Sequence, residues 1–265
     1  MKQISIALGV ALLTACAALS QNAAPSAGFE VVSIKPSDPG TQGSRMGASP
    51  NGDYNAKGAT LKGLIQQAYE LRDFQVTGGS AWIETERYDL IAKGSGLGLT
   101  EEELRKMTED QRNAFKAQLL LKLQALLADR FQLKVHKETK EMPIYGLAIA
   151  KSGVKIQTAV DDGKFGGGIS MSRGETGKSE ATFKKTPMSS LTKFLSGQVG
   201  RTVLDQTGLK GEYDFKLTFA PDLAEVTDGP SIFTAVQDQL GLRLDAQKGP
   251  VEVLVVDGAQ KASGN

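Results

Sequence analysis

The sequence has little of what most reactive centres are built from. Among its 265 residues there is one cysteine and one histidine. A disulfide needs two thiols, and a structural zinc site takes about four Cys or His ligands. Both are excluded, as is any Ser-His-Asp or Cys-His device that does not use His136. An excess of either charge is also missing: 31 Lys and Arg face 30 Asp and Glu, a net charge of +1. Without a basic run the chain lacks the electrostatic footprint that nucleic acid demands, so no nucleic-acid partner is expected. No apolar run reaches the roughly 20 residues that a membrane-spanning helix takes. Hydrophobic residues nevertheless make up 40% of the chain, enough for a packed core of one or two domains.

The first twenty residues read as an export signal. Lys2 supplies a basic start, and residues 4–13 form an apolar stretch too short to cross a bilayer but suited to a signal peptide. It ends in Leu13-Thr14-Ala15-Cys16, which resembles a bacterial lipobox. Cleavage before Cys16 would leave its thiol to carry the lipid, so Cys16 is the candidate attachment site. Two alternatives stand beside it: an ordinary signal peptide cut between Ser20 and Ala24, and a retained anchor. In the first two cases the mature chain carries no thiol into the oxidising compartment. Residues 21–28 form a flexible tether. The expected location is the periplasm, the outer membrane or the cell surface, with membrane contact only through the anchor.

Beyond residue 28 the pattern alternates hairpins with helices. Phe29 to Lys35 reads as a strand stopped by Pro36, and Met46–Ser49 with Asp53–Lys57 as a hairpin turned by Pro50-Asn51-Gly52. Thr60 caps a helix with Leu61, Leu64, Ile65 and Ala68 on one face. Phe74–Thr77 and Tyr88–Ala92 follow as strands, and Thr100 with Glu103 forms a capping box. A long helix over Asp110–Asp129 carries the stripe Phe115, Leu119, Leu120, Leu123, Leu126 and Leu127. Phe131–Lys137 and Ile144–Ala150 then read as a hairpin around Lys140-Glu141-Met142-Pro143.

The order recurs in the second half. A hairpin spans Gly168–Ser172 and Glu180–Lys184, and Pro187 starts a helix with Met188, Leu191, Phe194 and Leu195. Strands at Val203-Leu204 and Tyr213–Phe219 precede a helix capped by Ser231. Leu242–Ala246 and Val251–Val256 close the chain as a hairpin around Lys248-Gly249-Pro250. Thr60-Leu61-Lys62-Gly63-Leu64 aligns with Pro187-Met188-Ser189-Ser190-Leu191, and Arg87-Tyr88-Asp89-Leu90 with Glu212-Tyr213-Asp214-Phe215. These matches predict an α+β fold of two similar repeats, β-β-α-β-β-α-β-β, with helices packed on largely antiparallel sheets. The repeats span 29–151 and 154–258, followed by a tail over 259–265.

Few residues offer themselves as a site. His136 falls on the polar face of its strand, beside lysines, and reads as a solvated histidine. The loop Gly94-Ser95-Gly96-Leu97-Gly98 has Leu99 where a dinucleotide fingerprint needs its third glycine, so it reads as a linker. No cofactor or metal is expected. In Asp205-Gln206-Thr207-Gly208 the glutamine interrupts the contiguous Asp-Thr-Gly of an aspartic protease; the simpler reading has Asp205 bonding the backbone two residues on. The recurrent Tyr88-Asp89 and Tyr213-Asp214 are either a carboxylate pair or a shared strand-entry geometry. Trp82, the single tryptophan, stands on the glycine-rich stretch Gly78-Gly79-Ser80-Ala81, as a ligand anchor or folded over the core. The candidate binding residues are therefore Trp82, Tyr88, Asp89, Asp205, Tyr213 and Asp214.

Taken together, several segments resemble a family of exported, soil-associated bacterial proteins of unknown function that occur in many paralogous copies. They are Phe29-Glu30-Val31-Val32-Ser33-Ile34-Lys35-Pro36, Gly78-Gly79 with Trp82, Arg87-Tyr88-Asp89, Asp205-Gln206-Thr207-Gly208-Leu209 with Tyr213-Asp214-Phe215, and Gly249-Pro250-Val251-Glu252-Val253-Leu254-Val255-Val256-Asp257. That family commonly has a proline where this chain has Ser80. Related domains fused to membrane-embedded metallopeptidase sensors imply an extracytoplasmic sensing or binding role, and no catalytic residues carry over. The expected function is a non-catalytic envelope module that binds a protein or glycan. The alternatives are an envelope hydrolase using Asp89, Asp205 or Asp214, and an assembly partner of an envelope channel.

Overall fold

The computed structural model describes residues 28–94, 99–160, 167–173, 178–220 and 229–262. The export signal with Cys16, most of the tether, residues 95–98 of the glycine-rich linker and the last three residues of the tail lie outside the described residues. What is described is an α+β fold containing three four-stranded sheets.

The first sheet is built from β1 (Val31–Pro36), β2 (Arg45–Ala48), β3 (Tyr54–Thr60) and β5 (Arg87–Lys93), in the order β1-β5-β3-β2. Between β3 and β5 lie α1 (Leu61–Ala68), a 3-10 turn at Asp73–Gln75, β4 (Val76–Gly78) and α2 (Trp82–Thr85). The strand expected over Phe74–Thr77 is thus part turn and part strand. Thr60 caps α1 as its sequence predicts, its hydroxyl accepting from the Gly63 N–H. Eight residues are too few for a stable isolated helix. Leu61, Leu64 and Ile65 are fully buried, and at roughly 1.5–3 kcal/mol each their burial holds α1 in place.

After β5 come α3 (Glu101–Lys106) and α4 (Glu109–Arg130), both opened by capping boxes. The second half contributes β7 (Gln157–Thr158), β8 (Gly168–Arg173), β9 (Ser179–Pro187), α5 (Met188–Val199), β10 (Val203–Asp205), β11 (Glu212–Phe219) and α6 (Ile232–Leu240). Its sheet runs β7-β11-β9-β8, strand for strand the order of the first. Each of the two sheets carries a one-residue bulge at the same place. Ala56 to Ala59 on β3 spans Leu90 to Tyr88 on β5, and Phe183 to Thr186 on β9 spans Phe215 to Tyr213 on β11.

The two expected hairpins at the ends of the halves do not form. Residues 134–149 are one strand, β6 (Lys134–Ile149), and residues 242–258 are another, β12 (Leu242–Gly258). They pair with each other antiparallel along their length, so the two presumed turns lie face to face, Met142 opposite Gly249 and Glu141 opposite Pro250. Two physical reasons override the turn signals. Gly249 is there for close approach: a Cβ on it would lie 2.5 Å from the Ile144 Cδ1. Pro143 and Pro250 sit where the ribbon is two strands wide, so their lack of an N–H is tolerated on an open edge.

These long strands form the centre of the remaining sheet, β10-β6-β12-β4, with β10 parallel to the end of β6 and β4 parallel to the end of β12. The strands therefore cross between the halves. Leu254 and Val256 of β12 complete the core formed by α1, the end of α4 and the first sheet, while Leu147 of β6 belongs to the core of the second half. Within the α4 stripe Leu123, Leu126 and Leu127 are buried; Phe115, Leu119 and Leu120 are only half covered.

Candidate functional site

Most of the residues that stand out in the sequence are engaged in holding the backbone. Asp89 accepts from the Ser37 hydroxyl at 2.7 Å and from the Gly58 N–H at 3.0 Å. These bonds, the Ser37 hydroxyl first, hold its carboxyl below the usual range. Gly58 is the positive-φ residue of the first bulge. In the second bulge the same place is held by Lys185, also at positive φ, whose N–H donates to Asp214 at 2.7 Å. The aspartate of each repeated Tyr-Asp pair is thus a clamp on a bulge, and the two carboxylates lie in different sheets.

The tyrosines are core residues. Tyr88 is 2% exposed, stands edge-on to Phe131 and donates to Glu86; burial first, then Glu86, pushes its phenol up to about 12. Tyr213 is 6% exposed and donates to the Lys210 carbonyl at 2.9 Å. Asp205 does bond the backbone two residues on, accepting from the Thr207 N–H at 2.9 Å and the Thr207 hydroxyl at 2.6 Å. Trp82 opens α2 rather than standing on a loop, and is half buried against the first core. His136 has a carboxylate partner from across the strand pair, Asp257, at 2.9 Å, in a half-exposed position. Sequence spacing does not reveal that pair, because 121 residues separate its members.

The residues that gather around open space are others. A cleft of about 300 Å³ opens between the end of α1, the middle of α4 and the β6–β12 ribbon. Tyr69, Glu70 and Leu71 line it from the turn after α1, Leu120 and Gln124 from α4, and Lys137 and Glu252 from the ribbon. The turn is a Schellman motif: the Leu71 N–H donates to the Gln66 carbonyl and the Glu70 N–H to that of Gln67. The left-handed position of this motif is usually glycine; here it is Glu70, at φ 54°. A side chain in that conformation costs about 1–2 kcal/mol. Two lysines fix the carboxylate, Lys116 from α4 and Lys193 from α5, the latter at 3.1 Å, and Lys116 first holds Glu70 below the usual glutamate range. Gln124 donates to the last carbonyl of α1, that of Ala68, at 2.8 Å. Lys137 and Glu252 pair at 2.8 Å. Partial burial raises the Tyr69 phenol. The cleft therefore offers an aromatic and aliphatic wall together with ionic groups that already compensate one another. No signal in the sequence points to it, since Tyr69-Glu70-Leu71 reads as the plain end of a helix.

Among the described residues no cluster of His, Cys, Asp and Glu has the makings of a metal site, and no helix is long and apolar enough to cross a membrane. Compared with known families, residues 62–259 match one described as a protein of unknown function, DUF3738. The chain belongs to this family. The DUF3738 match takes in all of α1 but Leu61, the cleft, the second bulge and the whole of β12, and begins after the first bulge. No curated protein and no solved structure matches the chain.

Proposed function

We propose that this protein is an exported, lipid-anchored module of the cell envelope that binds a ligand and carries out no chemistry on it. The observation that carries the reading is the use to which its carboxylates are put. Asp89 and Asp214 clamp bulges and Asp205 closes a turn. A general acid needs a raised pKa and a cleft to work in; Asp89 is shifted the other way. These backbone roles weigh against the hydrolase alternative, and the cleft beside α1 has features that support a binding site: concavity, an apolar wall and a few convergent polar groups. The sequence of residues 1–20 supports export, and Cys16 is the lipid-attachment residue of this reading. The matching strand orders and matching bulges support taking the halves as two copies of one unit, near 29–151 and 154–258.

Labelling cells with radioactive palmitate tests the anchor. The full-length protein takes up label and fractionates with membranes; Cys16→Ala takes up none and moves to the soluble envelope fraction. Membrane association that survives in Cys16→Ala overturns it. Incubating the purified protein with isolated envelope polymer tests the rest. The polymer comes back bound and uncut, and cleavage products that vanish in Asp89→Asn or Asp214→Asn overturn the non-catalytic reading.

A further inference from the structure

We propose that the cleft between α1, α4 and the β6–β12 ribbon seats a neutral, hydroxyl-rich ligand, a sugar unit of an envelope glycan. The inference deepens the envelope-module reading, on which it rests for the source of the glycan. Size comes first. About 300 Å³ is at the small end of pockets that bury a ligand, and suits one sugar unit rather than a folded partner or a peptide helix.

Charge decides the class. Glu70 is held by Lys116 and Lys193, and Lys137 by Glu252, so among the described residues each ionic group that lines the cleft has its counter-charge. A charged ligand would have to compete with these half-exposed pairs for a carboxylate or an ammonium. Hydroxyl groups need no such exchange. Each both donates and accepts, so the same sugar donates to Glu70 or Glu252 and accepts from Lys137 or the Gln124 amide. Tyr69 and Leu120 supply the apolar wall against which the C–H face of a sugar ring rests.

The second half is built differently at the matching place. Carrying the match of Thr60-Leu61 with Pro187-Met188 nine residues on, Tyr69 and Glu70 align with Ser196 and Gly197. There the helix does not stop: α5 continues to Val199. Gly197 is exposed there, with the Arg72 side chain beside it. A Cβ on Gly197 would lie 3.1 Å from the Arg72 guanidinium carbon, and the Ser196 hydroxyl bonds within its own half, to Thr192 and Val203. One half therefore keeps an exposed glycine within a continuing helix at this place, whereas the other ends its helix there with a glutamate in left-handed backbone.

Saturation-transfer NMR on the full-length chain tests this, with glucose, mannose, galactose and N-acetylglucosamine as neutral probes and glucuronic acid and a hexa-aspartate peptide as charged ones. At least one neutral sugar binds, more tightly than either charged probe. Glu70→Gly gives the turn its usual glycine and keeps the fold, so its melting temperature holds or rises while affinity falls about ten-fold, the loss of roughly one charge-assisted hydrogen bond. Gln124→Ala weakens the same sugar, and Lys216→Ala, on an exposed pair in the second-half sheet, does not. Binding to none of the neutral sugars, preference for a charged probe, or full affinity in Glu70→Gly overturns the proposal. These results leave the Cys16 labelling untouched. An unlabelled protein that still binds a sugar through Glu70 retains the cleft assignment and discards the envelope reading.

Discussion

The two halves of the chain build the same sheet with the same bulge, yet treat the helices beside it differently. In the first half α1 ends after eight residues and α4 runs for 22; in the second α5 has 12 residues and α6 nine. A short helix next to a long one leaves a recess, and α4 is long enough to bring Lys116 to the Glu70 carboxylate at its edge. At the matching place in the second half α5 continues, and Gly197 meets Arg72 there instead. The sheets and their clamps supply the frame, and it opens where α1 ends beside α4.

Exchanging residues between the halves tests this division. The largest effect is expected just after α4 and α6. Gly241, at φ 67°, follows α6, and a Cβ on it would lie 1.9 Å from the Gly153 carbonyl oxygen; Gln132, at φ 47°, holds the like position after α4 and bonds the Asp129 carbonyl. Placing glutamine at 241 is expected to destabilise the protein by about 3 kcal/mol or more, since backbone has to move. Gln132→Gly is expected to change stability by less than about 1 kcal/mol. Urea unfolding of both variants measures the contrast, and equal midpoints would show that the two helix ends are not built as described.

A smaller effect is expected at the bulges. Asp214→Ala strands the Lys185 N–H and is expected to cost about 1–3 kcal/mol. Lys185→Gly, which installs the residue of the first half, recovers up to about 1 kcal/mol by relieving the left-handed strain. Thermal unfolding of the two single variants and the double variant reads this out, and a Lys185→Gly that melts lower than the parent contradicts it.

The smallest effect concerns acid. The carboxyls of Asp89 and Glu70 are both depressed, by the Ser37 hydroxyl and by Lys116 respectively as the leading causes. A depressed carboxyl stabilises the folded chain above its ordinary range, and that contribution disappears as the pH falls through that range to the depressed value. Stability should thus decline from about pH 5 downward. Asp89→Asn should flatten the decline more than Glu70→Gln, because the Glu70 carboxylate is the more exposed to solvent screening. Urea midpoints between pH 3 and 7 follow it.

Much of this frame is legible in the sequence, and the reasons differ by element. Thr60, Thr100 and Ser231 announce their helices because a cap is a local event that one hydroxyl and one N–H decide. The recurrence of Tyr-Asp is visible too, although its meaning depends on Gly58 and Lys185, which sit on other strands. The long strands mislead because Lys-Gly-Pro and Met-Pro are turn residues whenever nothing pairs with them. Here each is paired with the other, across more than a hundred residues of chain. The cleft is illegible for a related reason: Glu70 has no local mark of left-handed backbone, and its lysines come from two distant helices.

The crossing of β6 and β12 also bears on how the polypeptide becomes a protein. Leu254 and Val256 complete the hydrophobic interior around α1, and Ala262 joins them. The interior of the first half is therefore assembled from segments far apart in the chain, Ile34 among them at one extreme and Val256 and Ala262 at the other. Early compaction of one half ahead of the other is thereby disfavoured, and pairing partners so far apart in the chain make the final step slow.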